Sequence, residues 1–139
     1  MKKRWVSICL VLALIMQLFT FSAFAATPEV VQPYYVAVRS CTVDFSIQNT
    51  TLGYSNSLVV VSLRDGYTAD VTMELYRISS SSVKSLKVWE DSVGSGVESI
   101  SHGYYVASGY DYLLEVTLKV YDSNGEYVEI VGNSDTEYY

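Results

Sequence analysis

The strongest constraint on the fold is an alternation of apolar and polar residues that is clearest between Gly109 and Ile130. Successive side chains of a β-strand point to opposite faces, so this period of two predicts a strand with one buried face. Such a strand needs other strands to cover its apolar side. The apolar side chains share one parity: Tyr112, Leu114, Val116, Leu118 and Val120.

Related patterns recur upstream, separated by loop or turn signals such as Asp65-Gly66 and the serine run Ser79–Ser82. Ser57–Arg64 is mostly apolar, which predicts a central strand covered on both faces. In Val83–Glu90, Leu86 and Val88 share a face that Trp89 does not, which predicts a bulge or an edge strand. The other predicted strands are Cys41–Ile47, Val71–Tyr76, Val97–Val106, Gly109–Val120 and Glu126–Ile130.

About seven short strands separated by turns predict an all-β domain, and covering one apolar face on each strand requires a second sheet. We therefore expect an immunoglobulin-like, two-sheet antiparallel sandwich over residues 34–132, with a small barrel as the alternative. Asn124 and Gly125 predict a type I′ hairpin turn, in which both residues have positive φ. Residues 133–139 are polar and predict a loose tail.

Residues 1–25 have the three parts of a secretory signal peptide. Lys2, Lys3 and Arg4 are followed by an uncharged apolar run, and Ala23 and Ala25 fit the small-residue cleavage pattern. Residues 26–33 predict an extended lead-in to the domain. The sequence therefore predicts a secreted, extracellular protein with no membrane attachment after signal cleavage.

Removal of the signal peptide would leave six basic and fifteen acidic residues, a net charge near −9. This charge argues against nucleic acid and anionic membranes as partners, and favours a cationic partner or divalent cations. Cys41 would then be the only cysteine, so no disulfide can form within the chain. Its place on an apolar strand face predicts burial, with a disulfide to another molecule as the alternative.

The segment Val106–Val120 places a turn glycine before Tyr110-Asp111-Tyr112 and an alternating strand. It resembles the penultimate strand of fibronectin type III and other immunoglobulin-like sandwiches. In those folds a tyrosine at the start of this strand bonds back to the preceding corner through its hydroxyl, a role that the resemblance gives to Tyr112 or Tyr110.

The layout as a whole also resembles short exported β-sandwich proteins of Gram-positive, Firmicutes-type bacteria. The shared features are Trp89 before a Gly/Ser loop with Gly94 and Gly96, the Gly109–Tyr112 strand start, and the Asn124-Gly125 hairpin. That group has no assigned activity, so the resemblance implies a fold and a compartment without implying a chemistry.

No catalytic set is visible, and we predict no enzyme activity, no cofactor and no metal. His102 is the single histidine, and Cys41 sits on an apolar strand face where a thiol stays protonated. Carboxylates such as Asp70, Glu74 and Glu115 fall at polar strand positions, where they are solvated. Asp122–Glu126 resembles only a fragment of a calcium loop.

Tyrosine is the more informative residue type, with thirteen in the chain. Exposed tyrosines on a sandwich stack on sugar rings or anchor protein partners. The first expectation is a non-catalytic exported module that binds a protein or cell-surface component. The alternatives are a carbohydrate-binding module and, with less support, a small Asp/Glu hydrolase. The candidate binding residues are Tyr76, Tyr105, Tyr121 and Tyr127.

Overall fold

The structure, a computed structural model, describes residues 34–139 and contains seven antiparallel strands in two sheets. The three-stranded sheet has the order β1-β2-β5, and the four-stranded sheet has the order β4-β3-β6-β7. The strands are β1 (Val38–Asn49), β2 (Tyr54–Leu63), β3 (Thr68–Ser79), β4 (Ser82–Val93), β5 (Gly96–Tyr105), β6 (Asp111–Tyr121) and β7 (Tyr127–Tyr138).

The core lies between the two sheets and is built from the inward parity of each strand. On β6 that parity is fully buried from Tyr112 to Val120, as the alternation predicts. The prediction of an all-β, immunoglobulin-like two-sheet sandwich is thereby confirmed. The largest buried side chains besides those of β6 are Phe45, Val59, Val61, Leu63, Val71, Met73 and Leu75.

Tyr112 makes the corner contact that the fibronectin-like pattern implies. Its hydroxyl donates to the carbonyl oxygen of Ala107 at 2.5 Å, and its ring lies 6.2 Å from that of Phe45 on the opposite sheet. Burial raises the pKa of Tyr112. Tyr110 is half-buried and lies under the Arg77 guanidinium, 4.4 Å from its ring centre. Of the two candidate tyrosines, Tyr112 occupies the corner position.

One side of the sandwich is closed by side chains of β7. They form hydrogen bonds with backbone N–H groups of β1 and of the residues just before it. The Glu129 carboxylate accepts from the N–H groups of Val36, Ala37 and Val38 at 2.9, 2.9 and 3.1 Å. Asp135 accepts from the Phe45 N–H at 2.8 Å. These bonds satisfy N–H donors at the free edge of β1 and in the two residues before it, and they join the two sheets.

The β7 strand differs from the sequence prediction. Residues 133–139 are predicted as a loose tail, whereas β7 continues to Tyr138 and pairs along the whole of β6. The reason is tertiary: Asp135 bonds to β1, and the Tyr139 hydroxyl donates to the Thr50 carbonyl. Pairing with a long neighbouring strand therefore overrides the low strand propensity of this polar segment.

The hairpin between β6 and β7 is present, but it is not a type I′ turn. Gly125 has a φ of 80°, and no non-glycine residue among those described has a positive φ, so Asn124 is not left-handed. Asp122 accepts from the Gly125 N–H through its carbonyl, and from the Asn124 and Glu126 N–H groups through its carboxylate. The connection is the three-residue form, a tight turn followed by a left-handed glycine.

The β4 prediction is confirmed, because β4 is an edge strand with a register shift opposite Leu75 and Tyr76. Because β4 has one extra residue at this shift, the side chains on either side of it alternate out of step. Leu86 and Trp89 therefore both pack on the core, whereas Val88 is exposed. The prediction for β2 is only partly right. It is the central strand of its sheet, but its outer face, with Leu58 and Val60, is only half-buried.

Cys41 is half-buried at the edge strand β1 and forms no disulfide, and burial raises the pKa of its thiol. The predicted signal peptide, residues 1–25, and lead-in, residues 26–33, lie outside the described residues. Among residues 34–139 there is no helix with the length and apolar character needed to cross a membrane.

Replacing Glu129 with Gln is expected to lower the free energy of unfolding by about 1–2 kcal/mol at neutral pH, because a charged acceptor for three N–H groups is lost. Burial by itself raises the pKa of Glu129, but the three N–H donors and the Arg64 charge outweigh it and lower the pKa below the usual 4.5. The charged carboxylate therefore stabilises the fold above pH 4.5, and this contribution disappears as the pH falls through the folded-state pKa. Urea unfolding of both proteins from neutral to acid pH should show the difference shrinking below pH 4.5. A constant difference would contradict this.

Ser57 is fully buried on the inner face of β2, and its hydroxyl has no hydrogen-bond partner among the described residues. Ser57→Ala should therefore raise the free energy of unfolding by about 1 kcal/mol, because an unsatisfied buried group is removed. Ser55→Ala is the matched control. The Ser55 hydroxyl donates to the Tyr104 carbonyl at 2.8 Å, so its loss should destabilise by about 1 kcal/mol. Equal destabilisation by both changes would show that Ser57 has a partner.

Candidate functional site: the acidic face of the four-stranded sheet

The outer face of the four-stranded sheet collects the polar parity of β3, β4 and β6. Glu74 lies directly opposite Glu115 on β6, one step along the face from the opposed pair Thr72 and Thr117. Glu90 on β4 lies opposite Thr72. We call this surface the acidic face, and its members are Asp70, Thr72, Glu74, Tyr76, Glu90, Glu115, Thr117, Lys119 and Tyr121.

Glu74 and Glu115 place two negative charges side by side across neighbouring strands, an arrangement that destabilises a sheet. The Tyr76 hydroxyl lies beside both carboxylates. Its interaction with Glu74, together with the charges of Glu74 and Glu115, raises the pKa of Tyr76 to about 12. Hydrogen bonds from Ser85 and then Tyr76 lower the pKa of Glu74. Tyr76 therefore stays neutral and donates to an anionic surface.

Among residues 34–139, no Lys or Arg nitrogen lies within 4.0 Å of these carboxylates. Within residues 34–139, the single carboxylate within 4.0 Å of a Lys, Arg or His side-chain nitrogen is that of Asp91, beside His102, and Asp91 lies opposite Val71 on the inward side of β4. Lys119 lies opposite Asp70 in the sheet, but its ammonium group sits over the ring of Tyr121, 5.7 Å from the ring centre. The acidic face therefore carries unpaired negative charge next to an aromatic ring that already holds a cation.

The acidic face also forms a shallow groove of ≈ 640 Å³ between β4 and β6. Asp70 and Glu90 contribute carboxylates of the acidic face to it, Asp91 lies at its β4 edge, and Lys119 and Tyr121 lie at its β6 side. Carboxylates and a tyrosine ring can hold a lysine or arginine side chain by charge pairing and by cation–π contact. The groove is open, so it suits an extended or flat partner better than a small enclosed molecule.

The four predicted binding tyrosines do not come together. Tyr76 and Tyr121 both lie on the acidic face, but Tyr76 pairs with Leu113, eight residues from Tyr121 along β6, a separation of about 26 Å. Tyr127 lies across the hairpin from Tyr121 and is 56% exposed. Tyr105 lies on the other sheet. They therefore provide no single stacking platform.

Tyr105 belongs to the outer face of the three-stranded sheet, which we call the neutral face. It is 64% exposed and meets the Tyr54 ring edge-on at 5.2 Å. Asp44 is the one charged member of the set. The neutral face consists of Thr42, Asp44 and Ser46 on β1, Tyr54, Asn56, Leu58, Val60 and Ser62 on β2, and Val97, Ser99, Ser101, Gly103 and Tyr105 on β5.

A third cluster joins the two sheets where the edge strands β4 and β5 meet. The His102 ring stacks on Trp89 with centroids 5.2 Å apart and planes within 6°, and its Nε2 lies 2.7 Å from the Asp91 carboxylate. Tyr104 contacts the Trp89 ring edge-on at 6.3 Å. Sequence reasoning missed this cluster, because the β4 bulge sets the parity of Trp89 and the pairing is non-local.

This cluster does not form a nucleophilic site. Ser57 lies opposite His102 in the sheet, but its hydroxyl is fully buried and bonds to no described group. A serine without a hydrogen bond to the base and without access to substrate cannot act as an activated nucleophile. The geometry is that of a clamp between the sheets, in which Trp89 and Asp91 of β4 hold His102 of β5.

Among residues 34–139, no group of three or more His, Cys, Asp or Glu side chains is arranged to hold a metal ion. The Asp122 carboxylate of the calcium-like fragment is used within its own turn. Its hydrogen bonds from the N–H groups of Glu126 and Asn124 lower its pKa. The role of Asp122 in that fragment is therefore to stabilise the turn.

Comparison with known proteins adds no relative. No protein-family profile matches the sequence, and no curated protein matches it significantly.

Replacing His102 with Ala should expose Trp89, the single tryptophan among residues 34–139, and shift its fluorescence emission to longer wavelength. Loss of the stacked ring should also lower the free energy of unfolding by about 1 kcal/mol. Ser101→Ala, the neighbouring position on the opposite face of β5, is the control and should leave the emission unchanged. An unshifted spectrum in the His102 variant would show that the two rings do not stack in solution.

Proposed function

We propose that this chain is an exported, non-catalytic module that binds a protein or cell-surface component carrying positive charge, and that the acidic face is its binding surface. Export rests on the signal-peptide pattern of residues 1–25. The binding proposal rests on one observation: the acidic face keeps opposed glutamates that no lysine or arginine of the described chain pairs with.

A cationic partner would compensate for a repulsion that is built into the sheet. Like charges directly opposite each other on a sheet reduce its stability, and sequence positions of this kind are readily filled by threonine or lysine. A partner that brings lysine or arginine side chains would relieve the repulsion between Glu74 and Glu115 and gain charge-assisted hydrogen bonds. Local conflict with folding rules is typical of functional surfaces.

The aromatic residues support a cationic partner as well. Lys119 over Tyr121 demonstrates that a ring on the acidic face accepts an ammonium group from the chain itself. Tyr76 provides a second ring next to the glutamate pair. Charge over the whole domain would also steer a cationic partner, since residues 34–139 contain six basic and fourteen acidic residues.

The two alternative functions receive less support. A carbohydrate-binding module needs tyrosines that line up under one sugar chain, whereas only Tyr121 and Tyr127 of the four candidates are neighbours. Tyr76 lies at the other end of the acidic face and Tyr105 lies on the other sheet. A glycoside hydrolase needs two carboxyl groups on either side of a cleft. Glu74 and Glu115 lie side by side on an open sheet surface.

The test is binding of a fluorescent decalysine peptide, measured by anisotropy at low and moderate salt. The double variant Glu74→Gln/Glu115→Gln should bind it about tenfold more weakly than the unmodified chain. The charge-matched control is Glu126→Gln/Glu137→Gln, in which two exposed carboxylates outside the acidic face are removed. This control should change the affinity by about twofold or less.

Equal losses in the two double variants would mean that the peptide is attracted only by net charge, and the acidic face would then have no special role. Absence of binding at low salt would contradict the proposal altogether. Unfolding curves of all three proteins serve to check that the substitutions leave the sandwich intact.

A further inference from the structure

The neutral face stands out because of what it lacks. Residues 34–139 carry fourteen acidic side chains, yet the thirteen residues of the neutral face include one charged residue, Asp44. Apolar side chains are nevertheless exposed on it: Val97 is 72% exposed and Tyr105 64%. Leu58 and Val60 lie half-exposed at its centre on β2. Depletion of charge around exposed aromatic and aliphatic groups is typical of the centre of a protein interface.

The aromatic end of the neutral face is held in place by its neighbours. A Cβ atom at Gly103 would lie 2.0 Å from the Tyr54 hydroxyl oxygen, so the Tyr54 ring lies across a position that only glycine leaves open. Tyr105, directly opposite Tyr54, contacts this ring edge-on. A tyrosine pair fixed in this way loses little side-chain freedom when it is covered by a partner.

We propose that the occupant of the neutral face is a second copy of this chain, in a symmetric face-to-face dimer. Charge is the reason for choosing this partner. Two acidic molecules repel each other through most of their surfaces, and of the two outer sheet faces the neutral face is the one on which they can meet without bringing several carboxylates together. The dimer would leave both acidic faces pointing outward, so this inference is independent of the proposed function.

The position of Asp44 selects one symmetry. Asp44 lies on β1, and the residue at the same level on β5 is Ser101, with Leu58 of β2 between them. A two-fold axis that lies between the two faces and runs parallel to β2 places β1 of one copy over β5 of the other. Asp44 then faces a Ser101 hydroxyl, and the central apolar residues Leu58 and Val60 face their own counterparts. An axis across the strands at the level of Leu58 would instead set Asp44 against Asp44.

The size of the face predicts a weak dimer. Ten-residue strands, three abreast, cover about 33 Å by 14 Å, so the pair of faces buries about 900 Å² in total. Stable complexes bury about 1,200–2,000 Å², which places this contact in the transient class. Because the remaining surface of each copy is acidic, added salt screens the repulsion and should strengthen the dimer. Interfaces held by ion pairs show the opposite salt dependence.

The experiment is sedimentation equilibrium of the purified protein over a range of concentrations at low and high NaCl. The expected result is a monomer–dimer equilibrium whose association constant rises about fivefold or more between 0.05 and 0.5 M NaCl. Tyr105→Asp and Val97→Asp should each weaken association at least tenfold. Tyr127→Asp is the control, because it makes the same change at a similarly exposed tyrosine on the other sheet.

A protein that stays monomeric at millimolar concentration in high salt would overturn the proposal. So would an association that weakens with salt, or one that Tyr127→Asp disrupts as strongly as Tyr105→Asp. Circular dichroism and thermal unfolding of each variant identify any loss of fold. Val97 and Tyr105 lie at opposite ends of the face, so two independent substitutions test it.

Discussion

The structure depends on the burial of one parity of side chains between two sheets. Once Tyr112 to Val120 of β6 and their counterparts on β2 and β3 close over a shared apolar layer, every intervening residue must point outward. Burial of apolar area supplies the driving force, while the outward residues contribute little to it. Those positions are therefore available for function, and in this chain they differ sharply between the two sheets.

The outer faces separate charge from apolar surface. On the four-stranded sheet, glutamates oppose each other and tyrosines stand beside them. On the three-stranded sheet, hydroxyl side chains surround Leu58, Val60 and a fixed tyrosine pair. The same separation predicts opposite effects of salt on the two binding affinities. Salt would weaken binding at the acidic face, which depends on charge attraction, and strengthen association at the neutral face, which is opposed by charge repulsion. Side-chain bonds from β7 and the His102 clamp hold the two sheets together at their edges.

Local patterns predicted the strands that alternate cleanly, and the central position of β2 followed from its apolar run. Most of the failures come from contacts between residues distant in sequence. The β7 extension depends on Asp135 reaching β1, and the Trp89–His102 stack depends on a register shift in β4. The type I′ prediction for Asn124-Gly125 failed because Asp122 accepts from two N–H groups and stabilises a longer turn. The opposition of Glu74 and Glu115 requires the β3–β6 register, which no single segment specifies.

We expect the two outer faces to bind different partners because their chemistry differs. The most direct measurement is a titration of the isotope-labelled protein with decalysine, followed residue by residue in ¹H–¹⁵N NMR spectra. We expect chemical-shift changes confined to the acidic face, around Thr72, Glu74, Glu115 and Thr117, with the neutral-face residues Ser101 and Tyr105 unchanged. Shifts centred on the neutral face, or spread evenly over all acidic loops, would contradict it.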